Sequence, residues 1–315
     1  MTTLTYHPVT DERAAACNAK LDRIAAALEG MSGATEVYGF DMDLSNPDPE
    51  GAVTYAGAAI GFTPAHMDFS GGEFDYGDWE DAFFMPRPCM LTFAGAVESY
   101  LDPDDYTKKA DGTASTVASS TTANAMMQWP VIWTRRWQTG SVYHFRCSAS
   151  EFAGSSCLAN LNDEGSIVNF YTPIYFGSLD ANNRLRSLSG GTNYVNTTTD
   201  AERTAAAANG SGWEIERMVD WLLINDLLVL MGKSRNSQAV FGQGVNGASA
   251  AIAQGTMNDK GLFWGSSSTT VGVKVFGMEN WYGNIWHRLV GWVMVAGVQK
   301  VKLTHGTEDG STGTG

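Results

Sequence analysis

The ten residues Gly277-Met278-Glu279-Asn280-Trp281-Tyr282-Gly283-Asn284-Ile285-Trp286 hold three large aromatics, two asparagines and two glycines. That mixture suits neither an unbroken helix nor an unbroken strand. Glycine and asparagine accept the backbone angles of tight turns, and an asparagine side chain also bonds the backbone it turns. Tryptophan and tyrosine bring large apolar areas that need burial, with a polar tip that needs a partner. The segment is therefore expected to cross a core as a hydrogen-bonded series of turns. Glu279, Asn280, Trp281, Gly283, Asn284 and Trp286 are its structural positions, and Trp133, Trp281 and Trp286 are expected in the core.

Composition narrows the class. The chain has 315 residues, 35 of them glycine, with ten tryptophans and only 17% charged residues, which describes a loop-rich, strand-rich globular protein. A net charge of −14 opposes binding to a nucleic-acid backbone, which needs clustered Lys and Arg, and equally opposes docking on an anionic membrane. The most apolar run, Trp221 to Met231, is too short to span a bilayer and carries Asn225 and Asp226 in its middle. Asp11, Glu12 and Arg13 interrupt the first twenty residues, so no signal peptide is expected and the protein is expected to be made in the cytosol. Cys17, Cys89, Cys147 and Cys157 form no CxxC pair and adjoin no His cluster. They are expected to be reduced and buried, although Cys147 and Cys157 have the spacing to meet across a hairpin. Asp41-Met42-Asp43-Leu44-Ser45-Asn46 opens like a calcium loop, but Asn46 stands at the turn glycine and Ala52 at the closing glutamate. No metal and no cofactor are expected.

Along the chain, apolar residues at Ala14, Cys17, Leu21, Ile24, Leu28 and Met31 are spaced 3, 4, 3, 4, 3, the seam of a coiled coil. Residues 1–33 are therefore expected to form an oligomerisation helix through Leu21, Ile24 and Leu28, giving a homotrimer; the plainer reading is one amphipathic helix packed on its own domain. Residues 34–122 are expected to be a β-rich region ending in a Ser/Thr-rich linker, and residues 123–315 a second domain. Within it, Met127–Trp137 and Ser141–Cys147 are expected to pair as a hairpin, with helices over about 200–209 and 214–231. The whole is an α+β chain.

Taken in order, several motifs are similar to those of a widespread phage tail protein. They are Asn46-Pro47 leading to Gly61-Phe62-Thr63-Pro64-Ala65, then Tyr100-Leu101-Asp102-Pro103-Asp104-Asp105-Tyr106, then Trp129-Pro130-Val131-Ile132-Trp133. Arg186-Ser187-Leu188-Ser189-Gly190, Gly210-Ser211-Gly212-Trp213 and Ser237 to Gly244 follow. Phe276 to Trp286 resembles the motif of C-type-lectin-like domains found in sulfatase-modifying factors and in phage receptor-binding proteins. After Trp286 the chain reads His287-Arg288-Leu289-Val290-Gly291-Trp292, where such domains more often carry Glu-Trp, an aliphatic residue and Asp-Gly. The resemblance implies a C-type-lectin-like domain from about residue 123, carried on a virion-attachment region. It implies a tail or fibre protein whose partners are itself, other virion proteins and a bacterial surface receptor, either glycan or protein. A connector or decoration protein without a receptor is the alternative.

An enzyme of the sulfatase-modifying kind needs cysteines near the C-terminal core, and none lies beyond Cys157. No HExxH or GxSxG signature is present. No enzymatic activity is therefore expected. Candidate binding residues are Trp264 and Phe263, in a Gly/Ser-rich loop, and His287 and Arg288.

Overall fold

The computed structural model describes residues 35–247 and 251–306; the expected oligomerisation helix, with Leu21, Ile24 and Leu28, lies outside them. The first strands are β1 (Tyr38–Asp43), β2 (Val53–Gly57), β3 (His66–Asp68), β4 (Glu73–Asp75), β5 (Arg87–Thr92) and β6 (Val97–Tyr100). After them come β7 (Ala123–Trp129), β8 (Trp133–Thr139), β9 (Val142–Ser148), β10 (Phe170–Pro173), β11 (Ser178–Leu179) and β12 (Leu185–Arg186). Helices α1 (Thr199–Ala207), α2 (Met218–Gly232) and α3 (Ser237–Phe241) precede β13 (Lys274–Val275), β14 (Met278–Glu279), β15 (Trp292–Val295) and β16 (Val298–Val301). Two four-stranded antiparallel sheets dominate, ordered β2-β1-β9-β8 and β10-β7-β5-β6. The fold is mostly β-sheet with few helices.

Both sheets draw strands from either side of residue 122, so the boundary expected there is not one: Val37 onward forms a single compact unit. The stretch expected to be a linker is instead anchored. Tyr106 is fully buried, donates its hydroxyl to the Gly277 carbonyl at 3.2 Å, and lends its amide to the Asn258 carbonyl at 2.9 Å. Ser and Thr there satisfy turns, which composition alone cannot distinguish from a flexible tether.

The expected strand over 127–137 is two strands in different sheets. Pro130 has no N–H for a ladder, so the chain leaves one sheet after Trp129 and enters the other at Trp133. Asn160 clamps this crossing: its side chain accepts the Ile132 amide at 3.2 Å and donates to the Pro130 carbonyl at 3.2 Å and the Val168 carbonyl at 3.1 Å. The hairpin of β8 and β9 forms around Gly140, with Trp133 opposite Ser148 and Thr139 opposite Val142.

Helix α2 is apolar nearly all round, as a helix enclosed by its own fold must be. It starts four residues later than the sequence pattern suggests. Arg217 is extended, and the backbone of 216–218 pairs with Val290 through two bonds of 2.9 Å. Asp226, the charge in the middle of this apolar run, accepts Arg136 Nε at 2.6 Å and the Tyr143 hydroxyl at 3.0 Å. Asn225 returns its amide to the Trp221 carbonyl at 2.7 Å. Cys89, Cys147 and Cys157 are buried free thiols.

The segment 277–286 uses its glycines and asparagines as backbone elements. Phe276 and Gly277 both have positive φ in the two-residue turn between β13 and β14; a Cβ on Gly277 would sit 2.4 Å from the Tyr106 hydroxyl. Asn280, Gly283 and Asn284 also have positive φ. Glu279 accepts the amides of Gly255 at 2.8 Å and Met257 at 2.9 Å, and Asn284 accepts the amide of Ile252 at 2.9 Å. Trp281 is buried and Trp133 half-buried, whereas Trp286, expected in the core, is 98% exposed. Ile285 is half-buried, and His287 just beyond Trp286 turns back to meet Glu216 at 2.8 Å.

Lys274, opposite Glu279 in the β13–β14 ladder, is fully buried, with Nζ 2.9 Å from the Met257 carbonyl and 3.6 Å from the Tyr106 ring centre. Burial brings its amine down to about 7, against the pull of Glu279. The unfolded chain therefore holds a proton between about pH 7 and 10.5 that the folded chain has released, so this group adds stability as pH rises across that window. Lys274→Met removes the group. The variant's stability relative to wild type is expected to decline from pH 7 to 8.5 by up to about 1.4 kcal/mol per pH unit, read from urea titrations at each pH. A difference that is flat with pH would show that Lys274 keeps an ordinary affinity for its proton.

Candidate functional site

The start of α2 carries a run of charge, Glu214-Ile215-Glu216-Arg217, with Asp220 in the first helical turn. The segment 285–306 lies across this entrance. Its backbone is held at Val290, and its side chains pair with four carboxylates, among them Asp163, which Lys302 meets at 2.8 Å. His287 Nδ1 lies 2.8 Å from Glu216 Oε2, and His305 Nε2 lies 2.6 Å from Asp220 Oδ1. Arg288 pairs with Glu202 of α1 and donates to the Thr197 carbonyl at 2.6 Å. Arg203 and Glu214 form a further pair at 2.9 Å.

Beneath the segment lies a cavity of about 370 Å³. The outer face of the second sheet supplies its floor, through Leu91 of β5, Met126 of β7 and Tyr171 of β10, with Trp213 beside them. Arg186 of β12 forms part of the wall. Its guanidinium is almost wholly buried with a partner on every nitrogen: Asn124 Oδ1 at 2.9 Å, the Ala123 and Ser120 carbonyls at 2.8 and 3.1 Å, and Asp180 at 3.2 Å. Trp281 and Trp286 also border the cavity, the first buried and the second in solvent.

His287 sits edge-on to Phe176, with ring centres 4.7 Å apart, and to Trp281 at 6.2 Å. Burial pulls its imidazole toward the neutral form, but the hydrogen bond and charge of Glu216, with the Asn280 carbonyl, hold its pKa above the usual value. For Glu202, burial raises the carboxyl against the opposing pull of Arg288. Four buried polar atoms of wall residues have no hydrogen-bond partner among the described residues: Glu216 Oε1, an acceptor, Arg217 Nε and Trp281 Nε1, donors, and His287 Nε2.

Of the four candidate binding residues, the structure brings His287 and Arg288 to this cavity and leaves Phe263 and Trp264 elsewhere. Phe263 is a core residue, stacked on Phe74 with centres 4.6 Å apart, although the loop around it is mostly half-buried to exposed. Trp264 is half-buried and exchanges backbone bonds with Lys274 at 2.9 and 2.7 Å, with Lys260 Nζ 5.6 Å from its ring. Sequence reasoning missed Glu202, Glu216, Asp220 and His305. The available signal was three acids and an arginine packed just ahead of an apolar helix, where solvated charges are the ordinary reading.

No protein-family model matches the chain, and comparisons with curated proteins and with solved structures return no match.

The lining combines aromatic side chains, among them Tyr171, Trp213 and Trp281, with polar atoms that both accept and donate, such as Glu216 Oε1 and Arg217 Nε, while Arg288 is committed to Glu202. Such a wall stacks on an apolar ring face and satisfies a ligand that both donates and accepts hydrogen bonds.

Proposed function

We propose that this chain is a non-enzymatic structural and adhesive component of a phage particle, in the tail or a fibre. It is built on a C-type-lectin-like domain and recognises a glycan of the bacterial surface at the cavity under segment 285–306. The virion part of this reading is supported by the order of the motifs from Asn46-Pro47 to Trp286. The binding part is carried by one observation: a tryptophan 98% exposed, Trp286, at the border of a cavity lined by aromatic rings and by paired charges. Soluble proteins seldom leave so large an apolar side chain wholly in water beside a cavity without a use for it. Sugars present alternating C–H faces and hydroxyls, which match this lining. Oligomerisation into a homotrimer would let weak single sites act together on a repetitive surface.

The experiment is binding of the purified chain to an array of bacterial surface polysaccharides, with Trp286→Ala beside wild type. The substitution removes no buried contact, so thermal stability is expected to be unchanged. Affinity is expected to fall by roughly ten- to thirtyfold, the cost of losing an anchor of about 1.4–2 kcal/mol. Binding that Trp286→Ala leaves intact would remove the site assignment. Wild-type protein that binds no saccharide would shift the reading to a connector or decoration protein without a receptor.

A further inference from the structure

The two-stranded ribbon of β15 and β16 pairs with no other strand among the described residues. Trp292 faces Val301 and Met294 faces Gln299 on one side; Val293 faces Lys300 and Val295 faces Val298 on the other. Ala296 and Gly297, both at positive φ, close it. Three of the four side chains on each face are apolar. Met294 and Val298 are each 60% exposed, and Trp292, Val295 and Val301 are also exposed. A lone two-stranded ribbon is at best marginal in water, and one with apolar residues on both faces is a surface awaiting cover.

The two edges of the ribbon differ. β16 carries Lys300, a charge of the kind that blunts an edge against further pairing, while Lys302 just after it is tied to Asp163 at 2.8 Å. β15 reads Trp-Val-Met-Val and carries none. Charge also identifies the occupant. The chain has a net charge of −14, so two copies repel wherever acidic loops face each other. Segment 280–306 contains no Asp or Glu; Arg288 and Lys302 are paired with Glu202 and Asp163, so the ribbon itself, residues 292–301, carries one lysine and no acid. Two copies therefore meet least opposition there, whereas an anionic membrane or polymer would have to pass the acidic remainder.

We propose that the free edge of β15 pairs antiparallel with β15 of a second copy around a two-fold axis, making a four-stranded sheet in the order β16-β15-β15-β16. Antiparallel pairing of one strand with itself is self-complementary, as a two-fold contact requires. The sheet joins Trp292 and Met294 of both copies into one apolar face. This contact is separate from the oligomerisation expected of residues 1–33 and does not depend on the saccharide reading.

The test uses the full chain in two arms. In the first, light scattering compares wild type with Met294→Lys/Val298→Lys. Both positions are exposed, so the fold should be kept, which a thermal melt checks. Wild-type particles are expected to hold twice as many copies as the variant's. In the second arm, Met294→Cys and Ile60→Cys are each made with Cys17→Ser and mildly oxidised; Ile60 is 72% exposed in a turn far from β15 in the chain. Met294→Cys is expected to give a covalent two-chain band on a denaturing gel, and Ile60→Cys a background level. Should the lysine variant fail to fold, the cysteine arm decides. Equal masses for wild type and a folded variant, or no excess of dimer in Met294→Cys over Ile60→Cys, would overturn the proposal. So would a ribbon that carries the protein onto lipid vesicles while its mass stays that of the variant.

Discussion

Asp226→Ala is expected to lower the free energy of unfolding by about 3–5 kcal/mol, the usual cost of removing one partner from a buried ion pair. The carboxylate sits within α2 and accepts Arg136 Nε at 2.6 Å and the Tyr143 hydroxyl at 3.0 and 3.1 Å. Arg136 comes from β8 and Tyr143 from β9, so one side chain ties the helix to two strands of the first sheet. Its loss strands a guanidinium whose Nη2 is already buried without a partner. A buried unpaired charge is far costlier than the pair is favourable, so the control is Arg136→Met with Asp226→Leu, which removes both charges. That double variant is expected to lie closer to wild type than Asp226→Ala does, as replacements of buried pairs by apolar side chains often do. Urea unfolding followed by tryptophan fluorescence measures all three. A single variant within about 1 kcal/mol of wild type would mean that water reaches the pair and screens it.

Trp129→Ala is expected to cost a further effect of similar size, about 3–5 kcal/mol, through the cavity left in a close-packed core. Trp129 is fully buried where β7 ends. Its ring stacks on Phe170 at 5.6 Å and 3° and meets Phe276 at 5.3 Å, joining the second sheet to the β13–β14 turn. Its indole N–H donates to the Thr172 hydroxyl at 2.8 Å, so truncation also leaves that buried hydroxyl without its donor. Trp129→Phe keeps most of the area and loses the hydrogen bond, so it is expected to recover more than half of the loss. The urea midpoint separates the two substitutions. Equal midpoints would assign the stability to the hydrogen bond and not to the area.

What was legible in the chain was whatever local chemistry decides. Gly277, Asn280, Gly283 and Asn284 all take the left-handed backbone that their residue types favour. Helix α1 starts at Thr199, one residue before the expected start at about 200, with Thr198 as the cap that accepts the Ala201 amide. The long apolar helix was recognised because no exposed helix carries so many apolar residues on every side.

Position in space was not legible. Trp281 and Trp286 belong to one aromatic motif five residues apart, yet one is buried and the other stands in solvent. Phe263 and Trp264 lie in a loop whose composition suggests a surface, but Phe74 and Lys274 reach it from other parts of the chain. Residues 102–122 have the composition of a tether, yet Tyr106 and Val117 anchor them in the core.

The sequence alone determined the turn chemistry of 277–284, the strand-rich character and the net acidity, because backbone preference, hydrophobic pattern and charge are properties of residues in order. Only the tertiary structure decided that Glu216 meets His287 and Asp220 meets His305, which lie 71 and 85 residues apart. It also decided that Trp286 borders a cavity and that β15 keeps an unpaired edge. Contacts at such separation depend on how the sheets bring distant segments together, and no local preference encodes that.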